Sequence, residues 1–492
     1  MCAHHYVACD LGAESCRVML GTLAEDHLLI EEVHRFVNGP VTLFGTLRWD
    51  LLRILDELKN GLRKIAVRGY HVESVSTDSW GVDYVHMSAT EPMLTCPYHY
   101  RDARTHGSLE RAFAIVPAEV IYSETGIQFM RMNTLYQLLA DLERRPHILE
   151  LSEQFLNIAD YFNYLFSGVR CAEESLASTT QLFDPRKHEW SHELIERFGL
   201  PSTIFPRVVS SGTKLGPLLP SIAADVGLSD AEVIASCSHD TAAAVAAVPA
   251  EGQDWCYVSS GTWSLFGIEV KEPIINAKSR EHNFTNEIGY ERTIRFIKNI
   301  VGLWMVQECR REWAKEDQEY SYDQLMMMAE EAEPLRSLLN PADARFLEPN
   351  DMPQKIVNHC RETNQAAPRT RGEIIRCVLE SVALAYSQTL REVVDVTGYE
   401  PKCLHIVGGG SKNRLLNQLT ADATQLTVQS GPSEAAAIGN ILTQAVALGQ
   451  VDSLIDLRRV VRRSFPVTTY RAHGAPSWQK AYERFQRLTS KS

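Results

Sequence analysis

The strongest constraint on this chain is a plan that it uses twice. Residues 6–20, YVACDLGAESCRVML, read as a strand, a turn of small and polar residues, and a returning strand. Residues 255–270, WCYVSSGTWSLFGIEV, repeat that plan around the turn at 259–262. A hairpin with so small a turn leaves backbone N–H groups open to an anion, the chemistry of a phosphate loop. Two of them predict an internal duplication, an α/β protein of two related domains with a ligand cleft between them. The boundaries expected are 1–247 for an N-terminal domain, 248–446 for a C-terminal domain and 447–492 for a helical extension. A length of 492 residues suits two cores better than one.

In the first hairpin Asp10 falls where the strand ends. A carboxylate beside bound phosphates repels them unless a cation intervenes, so a hydrated Mg²⁺ is expected near Asp10. Gly12 and Ala13 let the backbone approach a ligand, and Ser15 and Arg17 would help to position the phosphate side. The bland alternative is an ordinary hairpin with an Asp in its turn.

Composition narrows the partners. With 49 basic and 62 acidic residues the formal net charge is −13, which disfavours general nucleic-acid binding and requires an anionic ligand to be met by local cations and dipoles. The start MCAHHY lacks a basic segment and apolar core, and no later run could span a bilayer, so a cytoplasmic protein is expected. Eleven cysteines with no Cys-x-x-Cys predict neither a disulfide scaffold nor structural zinc. Free thiols are the expectation, including Cys360 and Cys377, and the even spacing of Cys2, Cys9 and Cys16 reads as coincidence.

Four further stretches carry chemistry. Residues 72–85 give a strand ending in the polar, glycine-containing segment 78–83, and ligands of open α/β sheets bind at such strand ends. Arg101 and Arg104 follow, and either surface ion pairing or ligand contact would use them. Residues 233–248 give a buried strand, the tetrad Ser238, His239, Asp240 and Thr241, and an alanine-rich helix. Adjacent strand residues point to opposite faces, so the first three do not form a hydrolytic triad with one another. A carboxylate at a strand end, flanked by His239 and Thr241, suits a general base; the alternative is an Asp acting only as helix N-cap. Residues 298–309 predict a helix starting near Asn299, with Gln307 two turns on. A long amphipathic helix over 373–396 stops at Gly398, and a strand at 403–407 leads into Gly408, Gly409 and Gly410, which permit close backbone approach to a ligand or form a plain loop. In the tail, Arg458, Arg459, Arg462 and Arg463 read as a solvated face paired with acids.

DLGAESCR at 10–17, SSGT at 259–262 and GGG at 408–410, in this order and spacing, resemble the two phosphate loops and the adenosine loop of the sugar kinases of the glycerol kinase and xylulose kinase family. DSWGVD at 78–83, SHDT at 238–241 and KNIVGLW at 298–304 extend the resemblance over nearly the whole chain. It implies two actin-like, ribonuclease-H-like domains closing on ATP, and phosphorylation of a ketose, L-rhamnulose, on its 1-hydroxyl by ATP with Mg²⁺. It further implies Asp240 as the base, with Gly81, His239, Thr241 and Asn299 contacting the sugar. Ala13, Glu14, Ser15, Cys16, Arg17, Thr262, Gln307 and Gly409 would hold the nucleotide. Cys16 stands where the family usually has a small residue, and a thiol there would narrow the loop. A kinase for L-fuculose or D-xylulose, an actin-type nucleotide switch without a sugar-side base, and a non-catalytic sugar-binding regulator are the competing readings.

Overall fold

The computed structural model describes residues 3–315 and 319–490; Cys2 and the first residue of the MCAHHY start lie outside them. The chain forms two compact units built from interleaved segments. The first comprises Met1–Pro249, Glu269–Phe296 and Ala435–Ser464, the second Ala250–Ile268, Ile297–Glu434 and Phe465–Ser492.

The first unit is organised on a six-stranded sheet in the order Thr213–Pro217, Glu232–Ala235, Val72–Ser79, His4–Leu11, Ser15–Ala24, His27–Val37. The strands His4–Leu11, Val72–Ser79 and Glu232–Ala235 run parallel, and the opening hairpin returns antiparallel. Their burial explains the composition: Val7, Cys9, Val18, Val75 and Val233 are fully inaccessible, packed with Leu58, Leu62 and Ile65 of the helix Leu51–Ala66. The Asp50 carboxylate caps that helix, accepting from Arg53 N at 3.1 Å. The strands Val41–Leu43 and Thr46–Arg48 are joined by a reversal at Phe44 and Gly45, both at positive φ, and the glycine supplies the turn.

The helix Ala435–Ala447 belongs to this first unit although it lies far along the chain. Its Gln444 Nε2 donates to Val7 O at 3.0 Å and its Oε1 accepts from Ser74 Oγ at 2.6 Å, tying it to two neighbouring strands. The tail arginines meet acids of the same unit: Arg458 donates to Glu269 at 3.0 Å, Arg459 pairs with Asp456 at 2.5 Å and Arg463 pairs with Asp26.

In the second unit, strands follow the order Ile294–Val301, Trp263–Val270, Trp255–Ser260, Cys403–Val407, Thr427–Ser430, Thr468–Tyr470, the chain passing from one unit to the other within the first two. The predicted long helix is Arg371–Thr397, started by Thr370, whose hydroxyl accepts from Glu373 N, and ended by Gly398 at φ 68°. One expectation is overturned: the region of Asn299 is strand rather than helix start. The β-branched Ile297, Ile300 and Val301 extend the strand to residue 301, and the helix begins only at Trp304 after Gly302. Among the described residues ten cysteines are all free, Cys360 and Cys377 included, and no helix is long and apolar enough to cross a membrane.

Candidate active site

Strand register brings the first set of charged groups together. Asp10 is paired across the sheet with Arg17 on one side and Asp78 on the other. Arg17 donates to the Asp10 carboxylate, so the cation facing this acid in the protein itself is a guanidinium. Asp78 is fully buried, its Oδ2 accepting from Asn440 Nδ2 at 2.5 Å while Oδ1 has no hydrogen-bond partner. Burial, with the Asp10 charge beside it, pushes its carboxyl well above the usual range, and the Asn440 bond opposes this.

The hairpin turn is shaped by its own backbone. Gly12 N donates to Ser15 O at 3.1 Å, Asn38 N to Glu14 O at 2.9 Å, and Asn38 Nδ2 to Gly12 O at 2.9 Å. Ala13, Glu14 and Ser15 remain half-exposed in the turn, and Ser15 Oγ accepts from Arg35 at 3.3 Å. Cys16 is inaccessible: its side chain packs into the core and its thiol lies 3.7 Å from Gly12 O, so at this position only backbone is open on the turn.

Asp240 stands one residue into a seven-residue helix, Asp240–Ala246, whose N-cap is His239. Its carboxylate accepts from Thr241 Oγ1 at 3.1 Å and lies 3.5 Å from His239 Nε2. The side chain keeps 31% of its surface accessible although protein atoms crowd it. That crowding raises its proton affinity, the Asp10 charge adds to it, and His239 and Thr241 pull the other way. An accessible carboxylate with raised proton affinity, hemmed in by acids, is what proton abstraction from an alcohol requires.

The segment carrying Asp240 is anchored to the strand end that carries Gly81. Ser79 N donates to Ser238 O at 2.9 Å, and Ser79 bridges to His239. Beyond it, Gly81 leads into Val82 at φ 70°, a costly conformation for a β-branched residue. Asp83 over-determines that turn: its carboxylate accepts from Trp49 Nε1 at 2.6 Å, Trp80 Nε1 at 3.0 Å, Tyr100 N at 3.2 Å and Gln137 Nε2 at 2.8 Å. Burial nevertheless raises it to about 6. Arg104 turns inward, donating to Asp141 at 2.5 Å and to Gln137 at 2.7 Å, which makes it structural.

Within the second unit, the turn of the second hairpin gathers the other predicted residues. Leu303 N and Trp304 N donate to Gly261 O at 3.2 Å and Thr262 O at 3.1 Å, seating the start of the Gln307 helix on the turn. Gln307 Oε1 is buried without a hydrogen-bond partner. The triple glycine divides its work: a Cβ on Gly408 would lie 2.9 Å from Ser260 O and one on Gly410 2.0 Å from Ser260 Oγ, whereas Gly409 faces open space. Two glycines permit contact with the hairpin, and the middle one presents open backbone. Asn299 lies on the strand Ile294–Val301.

Four positions escaped the sequence reading. Glu173 accepts from Ser238 N at 3.1 Å and Ser175 Oγ accepts from His239 N at 3.1 Å, fixing the backbone that presents Asp240. Arg295, fully buried, donates to His239 Nδ1 at 3.1 Å and pairs with Glu287 at 3.0 Å. The available signal was charge inside short apolar strands, Glu287 before Ile288 and Arg295 between Ile294 and Phe296.

Among the described residues no group of three or more His, Cys, Asp or Glu could hold a metal by itself. Asp10 and Asp240, two carboxylates close enough to perturb each other, suit Mg²⁺ that arrives on a nucleotide, since this ion takes one or two carboxylates and fills its shell with water and phosphate.

Comparison with known proteins agrees along the chain. Residues 5–247 match the N-terminal domain model, and residues 256–448 the C-terminal domain model, of the FGGY family of carbohydrate kinases. The rhamnulokinase of Bacteroides thetaiotaomicron is 40% identical over 484 residues, covering 98% of this chain and 99% of that one. That of Bacillus subtilis is 38% identical over 465 residues, covering 94% and 95%. Among solved structures, a gluconate kinase from Lactobacillus acidophilus superposes with a TM-score of 0.82 at 16% identity, covering 100% of this chain and 98% of that one. A Plasmodium falciparum glycerol kinase with ADP gives 0.78 at 15%, covering 99% and 98%.

Proposed function

This chain belongs to the FGGY family of carbohydrate kinases, and from that premise we propose that it transfers the γ-phosphoryl group of ATP to the 1-hydroxyl of L-rhamnulose. The products are L-rhamnulose 1-phosphate and ADP, a step of L-rhamnose breakdown. The fold is the two-domain, actin-like fold of its structural neighbours, and the relatives that match it end to end carry the name rhamnulokinase.

The observation that carries the mechanism is Asp240, accessible at a strand-to-helix junction among buried acids. A sugar hydroxyl is a weak nucleophile. Asp240 accepts its proton as the oxygen attacks phosphorus, while His239, Thr241 and Gly81 of the same unit hold the ketose. Positioning and charge neutralisation supply most of the remaining acceleration. In the first unit the turn from Ala13 to Arg17 offers its backbone to phosphate; within the second unit Thr262, Gln307 and Gly409 are the groups for the nucleotide. Mg²⁺ bound near Asp10 would neutralise charge on the β- and γ-phosphates. Residues 1–247 thus serve the sugar and first phosphate loop, and 248–446 the nucleotide.

A coupled ADP-release assay over L-rhamnulose, L-fuculose, D-xylulose and glycerol tests this reading. The highest kcat/KM is expected on L-rhamnulose. Preference for another ketose would reassign the substrate, and sugar-independent ADP release would favour a nucleotide switch.

A further inference from the structure

We infer that Arg295 and Glu287 are positioning residues for sugar recognition, holding His239 in the tautomer that carries its hydrogen on Nε2, the ring nitrogen beside Asp240. The inference deepens the function proposed above and rests on His239 being part of the sugar site.

A guanidinium only donates, so Nδ1, 3.1 Å from Arg295 Nη2, accepts. In a neutral imidazole the hydrogen is then on Nε2, 3.5 Å from Asp240 Oδ1. With that tautomer fixed, His239 presents a donor to a sugar oxygen and offers no lone pair that would compete with Asp240 for the substrate's proton.

Glu287 makes the arrangement tenable. Arg295 has no accessible surface, and a buried cation without a counter-charge is strongly destabilising. The Glu287 carboxylate lies 3.0 Å from Arg295 and balances the guanidinium; its Oε2 stands 3.3 Å from Nδ1 but makes no hydrogen bond, so the bond at Nδ1 is the one from Arg295. The guanidinium is fixed from a second direction by Arg295 Nε, which donates to Ile288 O at 3.2 Å. Ring, cation and anion thus form a closed triangle behind the face that His239 turns to Asp240.

Two measurements on the full chain test the inference. In protein labelled with ¹⁵N in its histidine rings, the His239 signals are those lost in His239→Asn, and long-range proton couplings read which nitrogen is protonated. Nε2 protonated and Nδ1 bare is expected; hydrogen on Nδ1 would overturn the inference. This arm is independent of which sugar is the substrate. In the kinetic arm, Glu287→Gln and Arg295→Lys are expected to raise KM for L-rhamnulose about tenfold or more while KM for ATP stays within about twofold, and to add nothing in a His239→Ala background, because residues acting through one side chain are not additive. Unchanged sugar KM, or full additivity with His239→Ala, would refute positioning. Should Arg295→Lys fail to fold, the near-isosteric Glu287→Gln decides alone. A wild-type protein inactive on L-rhamnulose but with the expected tautomer would instead sink the substrate assignment.

Discussion

A Cβ placed on Gly439 would lie 1.8 Å from the carbonyl oxygen of Ala243. The helix that begins at Asp240 and the helix Ala435–Ala447 therefore touch backbone to backbone, and the position of the proposed base is set by a glycine almost two hundred residues away. Gly439→Ala forces the two helices apart. A loss of about 1–3 kcal/mol or more is expected, as for overpacked cores, with kcat falling further than stability alone explains. Thermal melts and turnover on the same preparation check this.

Asp240→Asn keeps the shape of the side chain and removes its basicity. Turnover of L-rhamnulose should fall by about 10²–10⁴-fold, the usual contribution of a positioned base, with nucleotide affinity by calorimetry nearly unchanged. Normal turnover with weakened nucleotide binding would overturn the assignment.

The pH profile follows from the direction of the Asp240 shift. Burial raises its proton affinity, so it stays protonated at pH values where an ordinary aspartate, near pKa ~3.9, is already ionised. A protonated base is inactive. The acid limb of kcat/KM is expected to lie above that ordinary value, activity falling as pH falls, and to disappear in Asp240→Asn.

Asp78 makes a prediction of opposite use. Buried, beside the Asp10 charge and lacking a partner on Oδ1, it holds its proton in the fold to higher pH than in the unfolded chain. Between the ordinary carboxylate value and the folded one, the native state binds more protons, so stability decreases as pH rises through that window. Asp78→Asn removes the ionisation and should flatten this part of the curve. Urea unfolding of both proteins at a series of pH values measures it, and parallel curves would contradict it.

Asp83→Ala strips one acceptor from two indoles and the Tyr100 N–H. About 1–3 kcal/mol is expected for each buried donor left unmet, with a change in tryptophan fluorescence and a raised sugar KM as the turn at Gly81 loosens.

How much of this was legible beforehand depended on range. Both hairpins, the stop at Gly398 and the strand-to-helix junction at Asp240 are local: turn chemistry and strand-to-helix switches are written within ten residues. The strand through Asn299 was missed because Gly302 and Trp304 were read as a continuing helix, whereas docking of Leu303 and Trp304 on Gly261 and Thr262 decides the break. Arg295 and Glu287 were missed because their partner His239 is some fifty residues distant, and nothing short-range marks the pairing. The burial of Cys16 follows from strand alternation, which turns its side chain into the core.

The seating of Gln444 against Val7 and Ser74 has a consequence for biogenesis. A nascent chain emerging from the ribosome presents its opening strands long before residue 444 exists, so that face of the early sheet must wait, wet and incomplete, through most of translation. Premature termination before the last fifty residues would leave a stump unable to seal itself, and such fragments should be cleared quickly by proteases rather than accumulate as half-working enzyme.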